Sequence, residues 1–168
     1  MKKIFILISL FFTFQISFAQ QNQPSNKLIE AVNLQQDLII SSQKNQAIIL
    51  MFSSELCPFC FTLAEELLQP MQIVQPGSNY LIRKVNMDTE GKMIDFLGNE
   101  TTMAKFSSQH NIVVTPTLVF FNNFGVEQGK RIIGVNSIDL LSYYIDETIN
   151  QISSKIAQDK PTSNKTID

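Results

Sequence analysis

Two cysteines at a junction between a strand-like and a helix-like segment constrain this chain most. Residues 47–52 (Ala-Ile-Ile-Leu-Met-Phe) form a continuous apolar run of strand length, which predicts a central strand covered on both faces. After Cys57-Pro58-Phe59-Cys60 the apolar positions recur at helical spacing, and a proline suits the first helical turn. The junction therefore places Cys57 at or next to a helix N-terminus, where unpaired N–H groups and the helix dipole stabilise a thiolate.

The cysteine count favours a redox role for this pair. The chain has 168 residues and two cysteines, whereas secreted domains that are stapled by disulfides usually carry four or more. A bridge that closes so short a loop also removes little entropy from the unfolded chain. We predict that Cys57 attacks and that Cys60, on the same side of the helix but more buried, resolves the mixed disulfide. The alternatives are an inert bridge, chance, or half of a zinc site, for which His110 is the only other usual ligand.

The N-terminus has the pattern of a secretory signal peptide over residues 1–19. Lys2 and Lys3 give a positive start, residues 4–14 are mostly apolar, and residues 17–19 (Ser-Phe-Ala) have small residues at the positions that precede cleavage. We expect cleavage after Ala19, then a flexible polar leader over residues 20–25, and a mature protein in the periplasm. The alternative is an N-terminal anchor that is retained.

The charge balance argues against nucleic acid as a partner. Loss of Lys2 and Lys3 leaves 11 basic residues against 15 acidic ones, a net charge of −4 with His110 neutral. The sequence has no clusters of Lys and Arg, so neither nucleic acid nor a membrane surface is an expected partner. We expect a monomer whose partners are proteins or small molecules.

Periodicity and breakers predict an α/β domain over residues 26–152. Helices are predicted over 25–42 with Ser25 or Asn26 as the cap, from Pro58 with a kink at Pro70 and an end at Pro76-Gly77, over 101–109, and over 137–152. Strands are predicted over 47–52, 80–85, 117–121 and 131–135, with a short turn or helix inserted at 87–99 and a disordered polar tail at 153–168. This order predicts a central mixed sheet of four or five strands flanked by helices.

The chain resembles the thioredoxin superfamily over about residues 25–152. The resemblance is carried by the apolar strand before Cys57-Pro58-Phe59-Cys60 and by Val114-Thr115-Pro116-Thr117 before a later strand, with Gly134 in the strand that follows and an amphipathic last helix. The signal pattern, the insertion and the Pro-Phe dipeptide look most like exported bacterial thioredoxin-like proteins of the SoxW type.

The resemblance implies an exported thiol-disulfide oxidoreductase that needs no cofactor and no metal. Its substrates would be exported proteins that contain cysteine, and a membrane or periplasmic protein would be its redox partner. We favour a reductant over an oxidant. The alternative is a non-enzymatic thioredoxin-like module that binds a partner or holds a metal ion.

The resemblance also implies that Pro116 is cis and faces the dithiol, with Thr115 offering backbone groups to an extended substrate segment. Pro58 and Phe59 are further candidates for substrate contact. The plainer interpretations are that Phe59 is a core side chain, that Pro116 only begins a strand, and that His110 ends a helix.

Two positions depart from the pattern of the superfamily. Leu56 stands where a tryptophan usually precedes the first cysteine, and the chain has no tryptophan. Met51 stands where the strand commonly buries an acid that helps proton transfer. Glu55 is the nearby residue that could substitute for that acid.

Overall fold

The computed structural model describes residues 27–74 and 78–158. The predicted signal peptide, the leader and the two candidate caps of the first helix lie outside the described residues, as do Pro76, Gly77 and residues 159–168. Within the described ranges, no helix combines the length and the apolar composition needed to cross a membrane.

Helices alternate with strands, and one mixed sheet organises them. The elements are α1 (Leu34–Lys44), β1 (Ala47–Ser53), α2 (Pro58–Leu63), a π-helical turn (Ala64–Leu68), α3 (Gln69–Val74), β2 (Tyr80–Asn86), β3 (Lys92–Ile94), β4 (Glu100–Thr102), α4 (Met103–Gln109), β5 (Thr117–Phe121), β6 (Ile132–Ile133) and α5 (Ile138–Gln158). The main sheet has the order β2-β1-β5-β6, with β1 parallel to β2 and antiparallel to β5, and β5 antiparallel to β6. The predicted α/β fold with a central mixed sheet is confirmed, with four strands.

Strand β1 separates two hydrophobic cores. All seven of its residues are buried, and successive side chains of a strand point to opposite faces. Ile49 and Met51 pack on the face that also holds the two cysteines and α5. Leu50 and Phe52 pack on the other face, with α1 and α4. The continuous apolar run at 47–52 therefore has the predicted cause, because helices cover the sheet on both sides.

The prediction that the first helix begins at Ser25 was wrong, since α1 begins at Leu34. The Ala31 N–H donates to the Lys84 carbonyl and the Lys84 N–H donates to the Ile29 carbonyl, both at 2.8 Å. Residues 29–31 thus pair with the outer edge of β2. Such pairing requires extended backbone, so these residues cannot be helical. The helix starts only after this pairing, where the Asn33 side chain accepts the Gln36 N–H at 2.9 Å as an N-cap.

The segment predicted as an inserted turn or helix at 87–99 instead contributes β3 to an antiparallel hairpin with β4. Its turn is built by Asp95, whose carboxylate accepts the N–H groups of Leu97 and Asn99 at 2.9 and 2.8 Å. Gly98 has a φ of 87°, which favours glycine. The Ile94 N–H donates to the Val32 carbonyl at 3.0 Å, so the hairpin docks on the segment before α1.

The other boundaries differ by a few residues. The irregularity expected at Pro70 takes the form of the π-helical turn directly before it, in which the Gln69 N–H donates to the Ala64 carbonyl. Strand β6 is shorter than the predicted 131–135 because Gly134 adopts a φ of 76°. Helix α5 runs to Gln158, so residues 153–158 are not part of a disordered tail. Ile156 explains the extension, since it is buried in the core on the dithiol side of the sheet.

Candidate active site

The two cysteines form a disulfide at the start of α2. Cys57 is the N-cap residue, and its Cα lies 5.2 Å from the Cα of Cys60. The Cys60 backbone N–H donates to the Cys57 Sγ at 3.1 Å. Both cysteines are buried as whole residues, Cys57 at 8% exposed and Cys60 at 4%. A thiolate on Cys57 would receive this N–H and the positive end of the helical segment, whereas Cys60 lies one turn inside it.

Asp88 holds the loop that leads into the disulfide. Its Oδ2 accepts the Ser54 hydroxyl at 2.5 Å and the Glu55 N–H at 2.7 Å, and these two hydrogen bonds hold the pKa of the Asp88 carboxyl below its usual range. Our sequence reasoning treated Asp88 only as a breaker. The signal that could have found it is its place just after β2, because parallel strands β1 and β2 end at the same edge of the sheet.

Apolar side chains project into solvent beside the disulfide. Leu56 is 91% exposed and Phe59 is 62% exposed, which excludes the interpretation of Phe59 as a core side chain. Pro58 is exposed between the two cysteines. Large apolar side chains in solvent next to a reactive pair are typical of a docking surface.

The Thr115–Pro116 peptide bond is cis, as the resemblance implied. Phe52 near the end of β1 pairs with Thr117 at the start of β5. Because the two strands are antiparallel, the loop that follows β1 and the loop that precedes β5 lie at the same edge of the sheet. Pro116 is buried and Thr115 is half-buried. Among the described residues, the backbone N–H and carbonyl of Thr115 have no hydrogen-bond partner.

A cleft of about 850 Å³ borders Cys60 behind the disulfide. Met51 lines it from β1, at the position where an acid was expected, and it is buried in the core. Glu55 also lines the cleft, but it is exposed and its Oε1 accepts the Asn86 side-chain amide at 3.3 Å. The cleft's ion pair joins Lys84 Nζ to Glu30 Oε1 at 3.4 Å. Glu55 is therefore near Cys60 without occupying the buried position in β1.

His110 is a helix-end residue, as its plainer interpretation held. It is the C-cap of α4, and its ring lies 4.4 Å from Phe106, 5.8 Å from Phe121 and 6.3 Å from Phe52 between centroids. These phenylalanines belong to the core on the face opposite the disulfide. Burial lowers the pKa of His110 and outweighs the opposing effect of Glu127. In residues 27–74 and 78–158, no three His, Cys, Asp or Glu side chains come together as a metal site would require.

Comparisons with known proteins agree with this geometry. A family model described as a thioredoxin-like domain matches residues 34–149. The reduced thioredoxin pre-protein of Schistosoma mansoni is 21% identical over 73% of this chain and 99% of its own, with a TM-score of 0.51. Oxidized thioredoxin O2 from Arabidopsis thaliana is 17% identical over 76% of this chain and 97% of its own, with a TM-score of 0.50. At such identities the structural likeness shows the fold alone. The search of curated proteins returned no match.

Proposed function

We propose, because the chain belongs to the thioredoxin-like domain family, that it is a thiol-disulfide oxidoreductase acting on protein substrates through Cys57 and Cys60. The observation that carries the proposal is the disulfide at a helix start, with the Cys60 N–H on the Cys57 Sγ at 3.1 Å. That arrangement stabilises one thiolate selectively and keeps its partner within bonding distance. Both properties are needed for exchange through a mixed disulfide.

In the reducing direction, the Cys57 thiolate attacks one sulfur of a substrate disulfide. A bond forms between Cys57 Sγ and that sulfur, while the other substrate sulfur leaves as a thiolate and takes up a proton. Cys60 then loses its proton and its thiolate attacks Cys57 Sγ, which releases the first substrate sulfur as a second thiolate. Two electrons pass from the dithiol to the substrate, and the Cys57–Cys60 disulfide is restored. Oxidation of a substrate dithiol is the same sequence in reverse.

We propose the reducing direction, and the surroundings of Cys57 support this choice. A strongly stabilised thiolate makes a dithiol an oxidant, because the reduced form is then favoured. The sequence neighbours of Cys57 are Leu56 and Pro58, so stabilisation must come mainly from the helix end. We therefore expect a reduction potential closer to about −270 mV, as in thioredoxin, than to about −120 mV, as in the strong oxidant DsbA. Equilibration in glutathione buffers measures it.

The sequence pattern of the N-terminus supports a proposal for the place of action, and the resemblance to exported thioredoxin-like proteins supports one for the partners. We propose export to the periplasm as a monomer of the SoxW type. Exported proteins with cysteines would be the substrates, and a membrane or periplasmic protein would supply electrons. N-terminal sequencing of protein recovered from the periplasm should begin at Gln20, and a different start would contradict the cleavage site.

Substitution of each cysteine tests the assignment of roles. Cys57→Ser should abolish the acceleration of insulin reduction by dithiothreitol. Cys60→Ser, first reduced and then freed of dithiothreitol, should accumulate a mixed disulfide with insulin, because the resolving thiol is missing. Turnover by Cys57→Ser would contradict the assignment. Bound zinc or copper in the wild-type protein without turnover would favour the non-enzymatic module.

A further inference from the structure

The segment between α4 and β5 forms a wall at the same edge of the sheet as the disulfide. We call residues 111–116 the proline loop. Ile112 is its apolar anchor and is buried, whereas Val113 and Val114 project into solvent. Pro116 is buried as well, so the loop has apolar contacts at two positions and depends on hydrogen bonds to hold the residues between them.

The end of the proline loop is fixed by two hydrogen bonds. The Thr117 hydroxyl donates to the Val114 carbonyl at 2.7 Å. The Gly134 N–H, from the residue that follows β6, donates to the Pro116 carbonyl at 2.8 Å. The carbonyls of Val114 and Pro116, on either side of Thr115, therefore both accept hydrogen bonds from within the protein.

The residue just before the loop is held by Arg131. Its Nη1 donates to the His110 carbonyl at 2.8 Å. Its Nε and Nη2 donate to the two carboxylate oxygens of Glu127 at 2.7 and 2.9 Å. A bidentate pair of this kind fixes the plane of the guanidinium group, and in that plane Nη1 lies within hydrogen-bond distance of the His110 carbonyl.

Arg131 and Gly134, which donate these hydrogen bonds, belong to one short stretch, residues 127–134, that includes the edge strand β6. This strand has two residues, and it pairs with β5 only at Thr117 and Leu118. At the other end of the stretch, Glu127 forms an isolated bridge with Phe121 and the Gln128 N–H donates to the Phe120 carbonyl at 2.8 Å, so the stretch is attached to β5 near both of its ends. Arg131 ties it to the start of the proline loop while Gly134 ties it to the end.

We infer that Arg131, oriented by Glu127, is a positioning residue that presets the proline loop for an incoming protein substrate. The inference rests on the proposed function, because it takes Thr115 and Pro116 to be where a substrate segment lies. Without the guanidinium group, the start of the loop would keep only the hydrogen bonds from the Asn111 and Ile112 N–H groups to the Ser108 and Ser107 carbonyls at 2.9 and 3.0 Å. Any order that is lost would have to be restored during binding, and that entropy cost weakens docking. The chemistry at Cys57 would stay the same, since neither Arg131 nor Glu127 is part of the disulfide's surroundings described above.

The test compares Arg131→Met and Arg131→Lys with Lys130→Met, which removes the same charge one residue away. Insulin reduction by Arg131→Met should show a KM raised about 3- to 10-fold and a kcat changed less than about 2-fold. Arg131→Lys should show most of this loss, since an ammonium group lacks the planar fork that reaches both carboxylate oxygens of Glu127 and the His110 carbonyl. Lys130→Met should stay within about 2-fold of the wild type. The alkylation rate of reduced Cys57 by iodoacetamide should be the same in all four proteins.

Several results would overturn the inference. An unchanged KM in Arg131→Met overturns it while leaving the proposed function intact. Full rescue by lysine, or a parallel change in Cys57 alkylation, also overturns it, because it would indicate a charge effect or a general disturbance. Wild-type protein without exchange activity overturns the proposed function and this inference together. If Arg131→Met does not fold, Glu127→Gln is the second variant, with the same expected rise in KM.

Discussion

At the scale of single residues, the burial of His110 makes the stability of the fold depend on pH. His110 is the only histidine of the chain, and its half-buried ring sits among three phenylalanines. Burial opposes the charged form, so the pKa of His110 in the folded protein lies below its ordinary value. At a pH above the ordinary histidine pKa of about 6.5, the ring is neutral in both the folded and the unfolded protein. In that range His110 does not make the free energy of unfolding depend on pH.

The folded protein should therefore lose stability as the pH falls from about 7 to 5. In this range the unfolded chain binds a proton at His110 more readily than the folded chain does, which favours unfolding. Urea midpoints at pH 7.5 and 5.0 should differ more for the wild type than for His110→Phe, which keeps an aromatic ring and cannot titrate. Equal differences in the two proteins would contradict this origin.

Residue roles were predictable from the sequence where they depend on local spacing. The Cys57 and Cys60 arrangement follows from two residues between them and a proline at the helix start. The roles of Asp88 and Arg131 were not found, because each side chain bonds to backbone that is distant in sequence. Asp88 accepts the N–H of Glu55, 33 residues away, and Arg131 donates to the carbonyl of His110, 21 residues away. Such contacts exist only after strands have paired, so spacing along the chain does not reveal them, and for Asp88 the available signal was its place just after a strand.

At the scale of elements, fully buried strands were easier to predict from the sequence than short or partly exposed ones. The run at 47–52 and the strand 117–121 were recognised because both are fully buried, which makes the first apolar throughout and the second apolar except at Thr117. The hairpin of β3 and β4 was missed because three-residue strands are too short to show a period of two. The segment before α1 was misassigned because its apolar spacing suits a helix, while pairing with Lys84 decides its conformation.

The extension of α5 can be tested at Ile156. This side chain is 5% exposed, and truncation of a buried isoleucine leaves a cavity. Ile156→Ala should lower the free energy of unfolding by about 2–4 kcal/mol in urea titrations. Lys155→Ala, at an exposed position of the same turn, should change it by less than about 0.5 kcal/mol. A negligible effect of Ile156→Ala would place the end of the ordered helix earlier.

At the scale of the whole molecule, β1 is shared by two cores, and only one of them contains the cysteines. Leu50 points to the core opposite the disulfide. A cavity there removes packing that is the same in the oxidised and reduced proteins, so it should destabilise both forms equally. The reduction potential depends on the difference between the two forms and should not respond.

Leu50→Ala should therefore separate stability from redox chemistry. We expect the free energy of unfolding to fall by about 2–5 kcal/mol in both the oxidised and the reduced protein. The potential of the Cys57–Cys60 pair should shift by less than about 10 mV, which is roughly 0.5 kcal/mol for two electrons. A larger shift would show that the two faces of the sheet are coupled through β1.

The pairing of Lys84 with the segment before α1 also hinders aggregation between copies of this chain, because it covers an edge of the sheet. An open strand edge is a template on which another chain can add, and aggregation begins there. Along the outer edge of β2, the carbonyls of Tyr80, Ile82 and Lys84 accept hydrogen bonds from the Ser78 hydroxyl, the Arg83 guanidinium and the Ala31 N–H at 3.0, 2.8 and 2.8 Å. At the other edge, β6 offers only two residues. With one edge occupied by its own chain and the other this short, we expect the protein to resist edge-to-edge aggregation at high concentration.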